Sequence, residues 1–137
     1  MLRSPGAPPL KRLVLLAALA LVGCQPKPPA QVTAVSAITR FSPPIHALGT
    51  EPFWSADLKG DRLTITRPDH PPLTARAKLK QLTANWAVWE ARTADGRSLR
   101  FAAVSDDCSD GMSDRTYPLG VEIAFEGEIL KGCASRG

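Results

Sequence analysis

Trp54-Ser55-Ala56-Asp57-Leu58-Lys59-Gly60-Asp61-Arg62-Leu63-Thr64-Ile65 decides the fold class. Its first half alternates apolar and polar residues, which puts Trp54, Ala56 and Leu58 on one face of a strand. Gly60-Asp61, glycine first, is a two-residue hairpin signal. Leu63 and Ile65 then return on one face. The pattern repeats outward. Pro68, Pro71 and Pro72 interrupt it, and Leu73–Leu82 alternates again, with Arg76, Lys78 and Lys80 forming a basic polar face. A helix is the alternative over Leu73–Asn85, where Ala, Lys, Leu and Gln favour it; the period of two decides for a strand. Trp86–Thr93, Ser98–Val104, the alternation of Val121, Ile123 and Phe125, and Glu128–Cys133 complete the series, with Asp95-Gly96 and Gly127 at turns. Six or seven short strands joined by hairpins predict an all-β domain over 46–137, a small antiparallel meander or barrel. Closure into a barrel would remove exposed strand edges.

The N-terminus carries a different pattern. Arg3, Lys11 and Arg12 precede an apolar run, Leu13–Val22, which ends at Gly23-Cys24. Basic, then apolar, then small is the order of a secretory signal. The run is about half the ~20 residues a membrane span needs. Leu21-Val22-Gly23-Cys24 resembles the lipobox of bacterial lipoproteins. The resemblance implies cleavage after Gly23 and diacylation of Cys24, so that residues 1–23 are a lipoprotein signal peptide. Two or three acyl chains hold a protein on a membrane almost irreversibly. Gln25 stands where an Asp would retain such a lipoprotein at the inner membrane, so in a Gram-negative cell the expected location is the outer membrane, facing the periplasm. Residues 24–45 read as a proline-rich flexible tether, with Pro26, Pro28, Pro29, Pro43 and Pro44 keeping it extended. Within it Val32–Phe41 is rich in β-branched residues and could pair as an edge strand.

Removing the signal leaves Cys24–Gly137, 114 residues, enough for one small domain. Arg3, Lys11 and Arg12 leave with it. The seventeen basic residues fall to fourteen against thirteen acidic ones, a formal charge of +1. The high isoelectric point of the whole chain is thus no argument for a nucleic-acid partner. With Cys24 acylated, Cys108 and Cys133 remain as an even pair in an oxidising compartment and are expected to form a disulfide. Zinc is not expected, because two cysteines and the distant His46 and His70 lack ligand spacing. No cofactor-binding glycine loop and no Gly-x-Ser-x-Gly elbow occurs, and no enzyme activity is expected.

Two segments stand out. Gly49-Thr50-Glu51-Pro52-Phe53-Trp54-Ser55 sets a turn before an aromatic pair. Phe53 and Trp54 suit the plug of a barrel end, while Glu51 beside Trp54 could instead floor a small pocket, its acid available for proton transfer in a small hydrolase. The polar stretch Asp106–Pro118 holds Asp110, Gly111, Asp114, Arg115 and Tyr117. Set on an EF-hand loop it fails, since Cys108 and Tyr117 occupy the third and twelfth positions. It reads as a disulfide-braced loop, either satisfying its own backbone or presenting Asp110, Gly111, Asp114, Arg115 and Tyr117 to a partner.

The strings GTEPFWS (Gly49–Ser55), CSDGMSDRTYP (Cys108–Pro118) and KGCA (Lys131–Ala134) together resemble an uncharacterised family of small bacterial envelope lipoproteins. The resemblance covers roughly Leu48–Ala134 and implies a lipid-anchored envelope protein without implying a reaction. More distantly the domain is similar to the META-type lipoproteins and to the membrane-bound inhibitors of c-type lysozyme. It departs from the inhibitors in lacking their Ser-Gly-Ser-Gly-type loop and their Trp-x-Lys-Gly segment, of which Lys131-Gly132 is a fragment. The expected partners are the membrane, through the lipid, and a periplasmic protein or peptidoglycan. A lysozyme inhibitor inserting residues 106–117 into an enzyme cleft is the alternative.

Overall fold

The computed structural model describes residues 31–137; the signal segment, Cys24 and the prolines up to position 30 lie outside the described residues. One helix, α1 (Gln31–Phe41), precedes β1 (Ile45–Thr50), β2 (Phe53–Lys59), β3 (Arg62–Thr66), β4 (Leu73–Leu82), β5 (Trp86–Thr93), β6 (Ser98–Ser109), β7 (Thr116–Phe125) and β8 (Glu128–Arg136). Each strand pairs antiparallel with the next, and β8 pairs back onto β1, closing an eight-stranded barrel. The all-β class expected from alternation is present, with eight strands in place of six or seven.

The added strand is β1. Ile45–Thr50 follows two prolines and contains Ala47 and Gly49, so its local preference for extended structure is weak. Pairing on both sides supplies what propensity does not: Ala47 lies opposite Ala56 of β2 and opposite Ala134 of β8. The second correction concerns Val32–Phe41, which is helical and not an edge strand. Ala37 and Phe41, one turn apart, are buried, and Phe41 joins the barrel core. The Thr39 hydroxyl donates to the Val35 carbonyl at 3.0 Å. That tertiary reward outweighs the small helix penalty of β-branched residues. The third correction is to the polar loop: β6 runs on to Ser109 and β7 starts at Thr116, so the loop shrinks to Asp110–Arg115.

The interior is filled by size complementarity, as a barrel of this strand number requires. Trp54, Trp89 and Phe101 are set among many alanines, including Ala47, Ala56, Ala87, Ala91 and Ala103. Trp89 and Phe101 meet edge to face, centroids 5.5 Å apart and planes at 71°. α1 covers the end of the barrel that carries the β2–β3 and β4–β5 turns: Phe41 lies near Leu82 and Trp89, and the Arg40 guanidinium donates to the Ala84 carbonyl at 2.7 Å. The opposite end opens into a cavity of about 330 Å³.

Candidate functional site

The β6–β7 hairpin is held against the barrel wall. Leu130 and Ala134 of β8 point into the core, so Cys133, of opposite parity, directs its sulfur outward. Cys133 is nonetheless 1% exposed, because the hairpin lies over it and Cys108 is bonded to it, with Cα atoms 5.5 Å apart. An irregularity between Ser105 and Cys108 lets β6 bend there. A second tie forms where the Thr50 hydroxyl donates to the Asp110 carbonyl at 3.0 Å. The sequence-expected disulfide and the barrel are thus both present.

Asp110 organises the tip. Its carboxylate accepts the Met112 N–H at 3.0 Å, the Ser113 N–H at 2.8 Å and the Ser113 hydroxyl at 2.8 Å. The Tyr117 hydroxyl lies 3.4 Å away. Gly111, at φ +74°, takes the left-handed conformation that closes the turn. Donors from Ser113, backbone first and then hydroxyl, followed by the Met112 N–H, hold the Asp110 carboxyl below the usual carboxylate range. Asp110 and Tyr117 therefore face inward, within the tip's own network. Gly111, Met112, Asp114 and Arg115 face solvent, Met112 at 69% exposure.

This network predicts a pH response. A depressed folded-state value means the ionised carboxylate is favoured in the folded chain. Its contribution is complete above the ordinary aspartate range and is lost as pH falls through the depressed value. The Met112 and Ser113 amide resonances should shift together in that acidic window and not in Asp110→Asn. Amides that stay unmoved in the wild-type chain across the window would contradict the assignment.

The other sequence-chosen segment separates into parts that do not meet. Glu51 is exposed in the β1–β2 turn, and Phe53 is 56% exposed, so Phe53 does not plug the barrel end. Trp54 is buried, and its indole lies over two glycines. A Cβ on Gly49 would be 2.5 Å from Trp54 Cε2 and 2.7 Å from the Lys131 carbonyl oxygen. A Cβ on Gly132 would be 2.8 Å from Trp54 Cζ2 and would overlap the Leu48 carbonyl oxygen. The glycines in GTEPFWS and KGCA thus make room for the tryptophan of the first motif. Among the described residues Trp54 Nε1 is buried without a hydrogen-bond partner, a cost of about 1–3 kcal/mol that the packing of the ring offsets.

Three further features lie outside these two segments, and of them only the basic face of β4 had a sequence signal, in Arg76, Lys78 and Lys80. The open end of the barrel is lined by Ile65, Leu73 and Phe125 under the ion pair Arg67–Glu128, 2.6 Å. On the outer wall His46 stands between Asp57 of β2 and Ser135 of β8, with Nδ1 3.0 Å from Asp57 Oδ1. That is the order of a nucleophilic triad. The three lie on an open wall, however, and among the described residues no hydrogen bond joins Ser135 to the imidazole. The third feature is the concentration of cations on the outer faces of β4 to β6. No family model, no curated protein and no solved structure matches the chain.

Proposed function

We propose that the chain is a lipid-anchored, non-enzymatic lipoprotein of the cell envelope. Its barrel recognises a periplasmic protein or a cell-wall component through the segment Asp106–Tyr117, whose tip is Asp110–Arg115. The observation that carries this reading is the state of the tip before any partner arrives. It is tied to the wall by Cys108–Cys133 and by Thr50, and its backbone is satisfied by Asp110. A loop ordered in advance loses little conformational entropy on binding. What it offers is Met112, Asp114 and Arg115, one exposed apolar side chain followed in sequence by two opposite charges. The anchor rests on the basic–apolar–small order ending at Cys24, and outer-membrane residence rests on Gln25.

The test uses the chain from position 24 carrying Cys24→Ser, immobilised and offered peptidoglycan sacculi and periplasmic extract. A partner should be retained, and Met112→Ala with Arg115→Ala should lower retention at least tenfold without changing the fold. Retention indifferent to these side chains would refute recognition by the tip. Intact-mass analysis of the native protein tests the anchor: it should show Cys24 as an acylated N-terminus, and an unprocessed precursor would refute it. The braced tip, ordered in advance with Met112 exposed, also favours a second reading, insertion into a lysozyme cleft. Inhibition of a c-type lysozyme at micromolar concentration would select that reading, and its absence would remove it.

A further inference from the structure

The outer face of β4, β5 and β6 has two unlike halves. In the first, Arg62, Arg76 and Arg92 stand directly opposite one another across β3, β4 and β5. Like charges placed opposite each other destabilise a sheet, so this row is maintained at a cost. In the next rung Glu90 lies between Lys78 and Arg100, and Lys80 reaches Glu90 at 3.4 Å. Asp61 pairs with Arg76, and the Arg92 guanidinium donates to the Gly96 carbonyl at 3.2 Å. Arg76, Lys78, Lys80, Arg92 and Arg100 line one shallow groove of about 620 Å³. The mature chain is close to neutral, so this is a segregation of charge. The compensating aspartates gather in the β6–β7 hairpin, at 106, 107, 110 and 114.

Towards the β4–β5 turn the same face becomes apolar. Val88, opposite Ala102, is buried there, and the exposed pair is Trp86 opposite Val104. Trp86 and Val104 are exposed, as is Ile38 on α1, the helix that covers this end of the barrel. The helix begins seven residues after Cys24. A soluble polyanion would engage the cations and gain nothing from Trp86 and Val104. A bilayer surface engages both: indole and aliphatic side chains enter the headgroup zone, while Lys and Arg stems reach along it to place their charges at phosphates.

We infer that this two-part face docks on a bilayer of anionic phospholipid. The inference rests on the envelope reading for the nearness of a bilayer, and on the face itself for its chemistry. The unacylated chain from position 24, with Cys24→Ser, should sediment with phosphatidylglycerol vesicles at low salt and be released as salt screens the attraction. It should not sediment with pure phosphatidylcholine. Trp54 and Trp89 are already buried, so a blue shift of emission on binding should come from Trp86 and vanish in Trp86→Phe. Lys78→Gln with Arg92→Gln should weaken binding about 25-fold, at roughly fivefold per cation. That variant should melt within a few degrees of the parent, since relief of the Arg76–Arg92 repulsion offsets the loss of the exposed Lys78–Glu90 pairing and the Arg92–Gly96 hydrogen bond. The inference is overturned by any of three results: no binding to phosphatidylglycerol, equal binding to phosphatidylcholine, or affinity unchanged in the double variant. Binding of inorganic polyphosphate as tight as that of vesicles, with no dependence on Trp86, would also overturn it. In each case an acylated Cys24 in the intact mass would leave the envelope reading standing.

Discussion

Gly132→Ala should destabilise this barrel by about 3 kcal/mol or more, at the upper end of overpacking costs. The added methyl overlaps the Leu48 carbonyl oxygen, a backbone atom of the neighbouring strand, and approaches the Trp54 ring within 2.8 Å. Neither neighbour can yield easily. Leu48 is paired with Ser55 on one side and Cys133 on the other, so moving its carbonyl loosens the seam where β8 meets β1. For a domain of this size the loss corresponds to a fall in melting temperature of roughly 12–20 °C. Gly120→Ala is the internal control. Gly120 pairs with Cys133, one residue from Gly132, yet a Cβ there meets nothing within 4 Å. That variant should be neutral or slightly more stable, because alanine has less chain entropy to lose. Thermal unfolding of the two variants side by side checks the pair; equal melting temperatures would mean the indole and the β1 backbone do not set the glycine requirement.

The second large effect is expected from the disulfide. Cys108 and Cys133 are 25 residues apart, and closing a loop of that length stabilises by roughly 3.5 kcal/mol in the chain-entropy model. Cys108→Ala with Cys133→Ala should lower the urea midpoint accordingly. The consequence should not be uniform. The barrel keeps every strand pairing without the bond, whereas the hairpin keeps the Thr50–Asp110 hydrogen bond as its remaining named tie to the wall. Amide exchange should therefore accelerate most at 106–117 and least at core positions such as Phe101 and Ile123. A uniform acceleration would show that the bond acts through the unfolded chain alone. An unchanged urea midpoint would show that it contributes no stability.

How much of this was legible in the chain depends on where each signal sat. Period-two alternation located β2 to β5, the first half of β6 and the second half of β7, where one face is in the core and the other largely in water, and the turn at Gly127 located β8. The cysteine pair was legible by counting, once Cys24 was set aside. β1 was not legible, since its identity as a strand comes from two neighbours distant in sequence. α1 was misread because Val32, Val35 and Ile38 favour extended structure in isolation, while the burial of Phe41 that decides for a helix is a tertiary event. At the candidate site the residue types were legible and their roles were not. Asp110 and Tyr117 sit in one polar stretch with Asp114 and Arg115, and no local pattern divides the inward pair from the outward one. The first motif likewise signals an unusual position for Trp54, but its explanation lies some eighty residues away at Gly132.

Joining the first strand to the last has a consequence for anything that approaches this protein. Many β domains meet their partners by zipping a foreign segment onto a free main-chain rim. Here the ring spends its amide and carbonyl groups on itself, so a visitor to its walls must read side chains. Crowded copies likewise have no rim along the ring from which to grow sheets into one another.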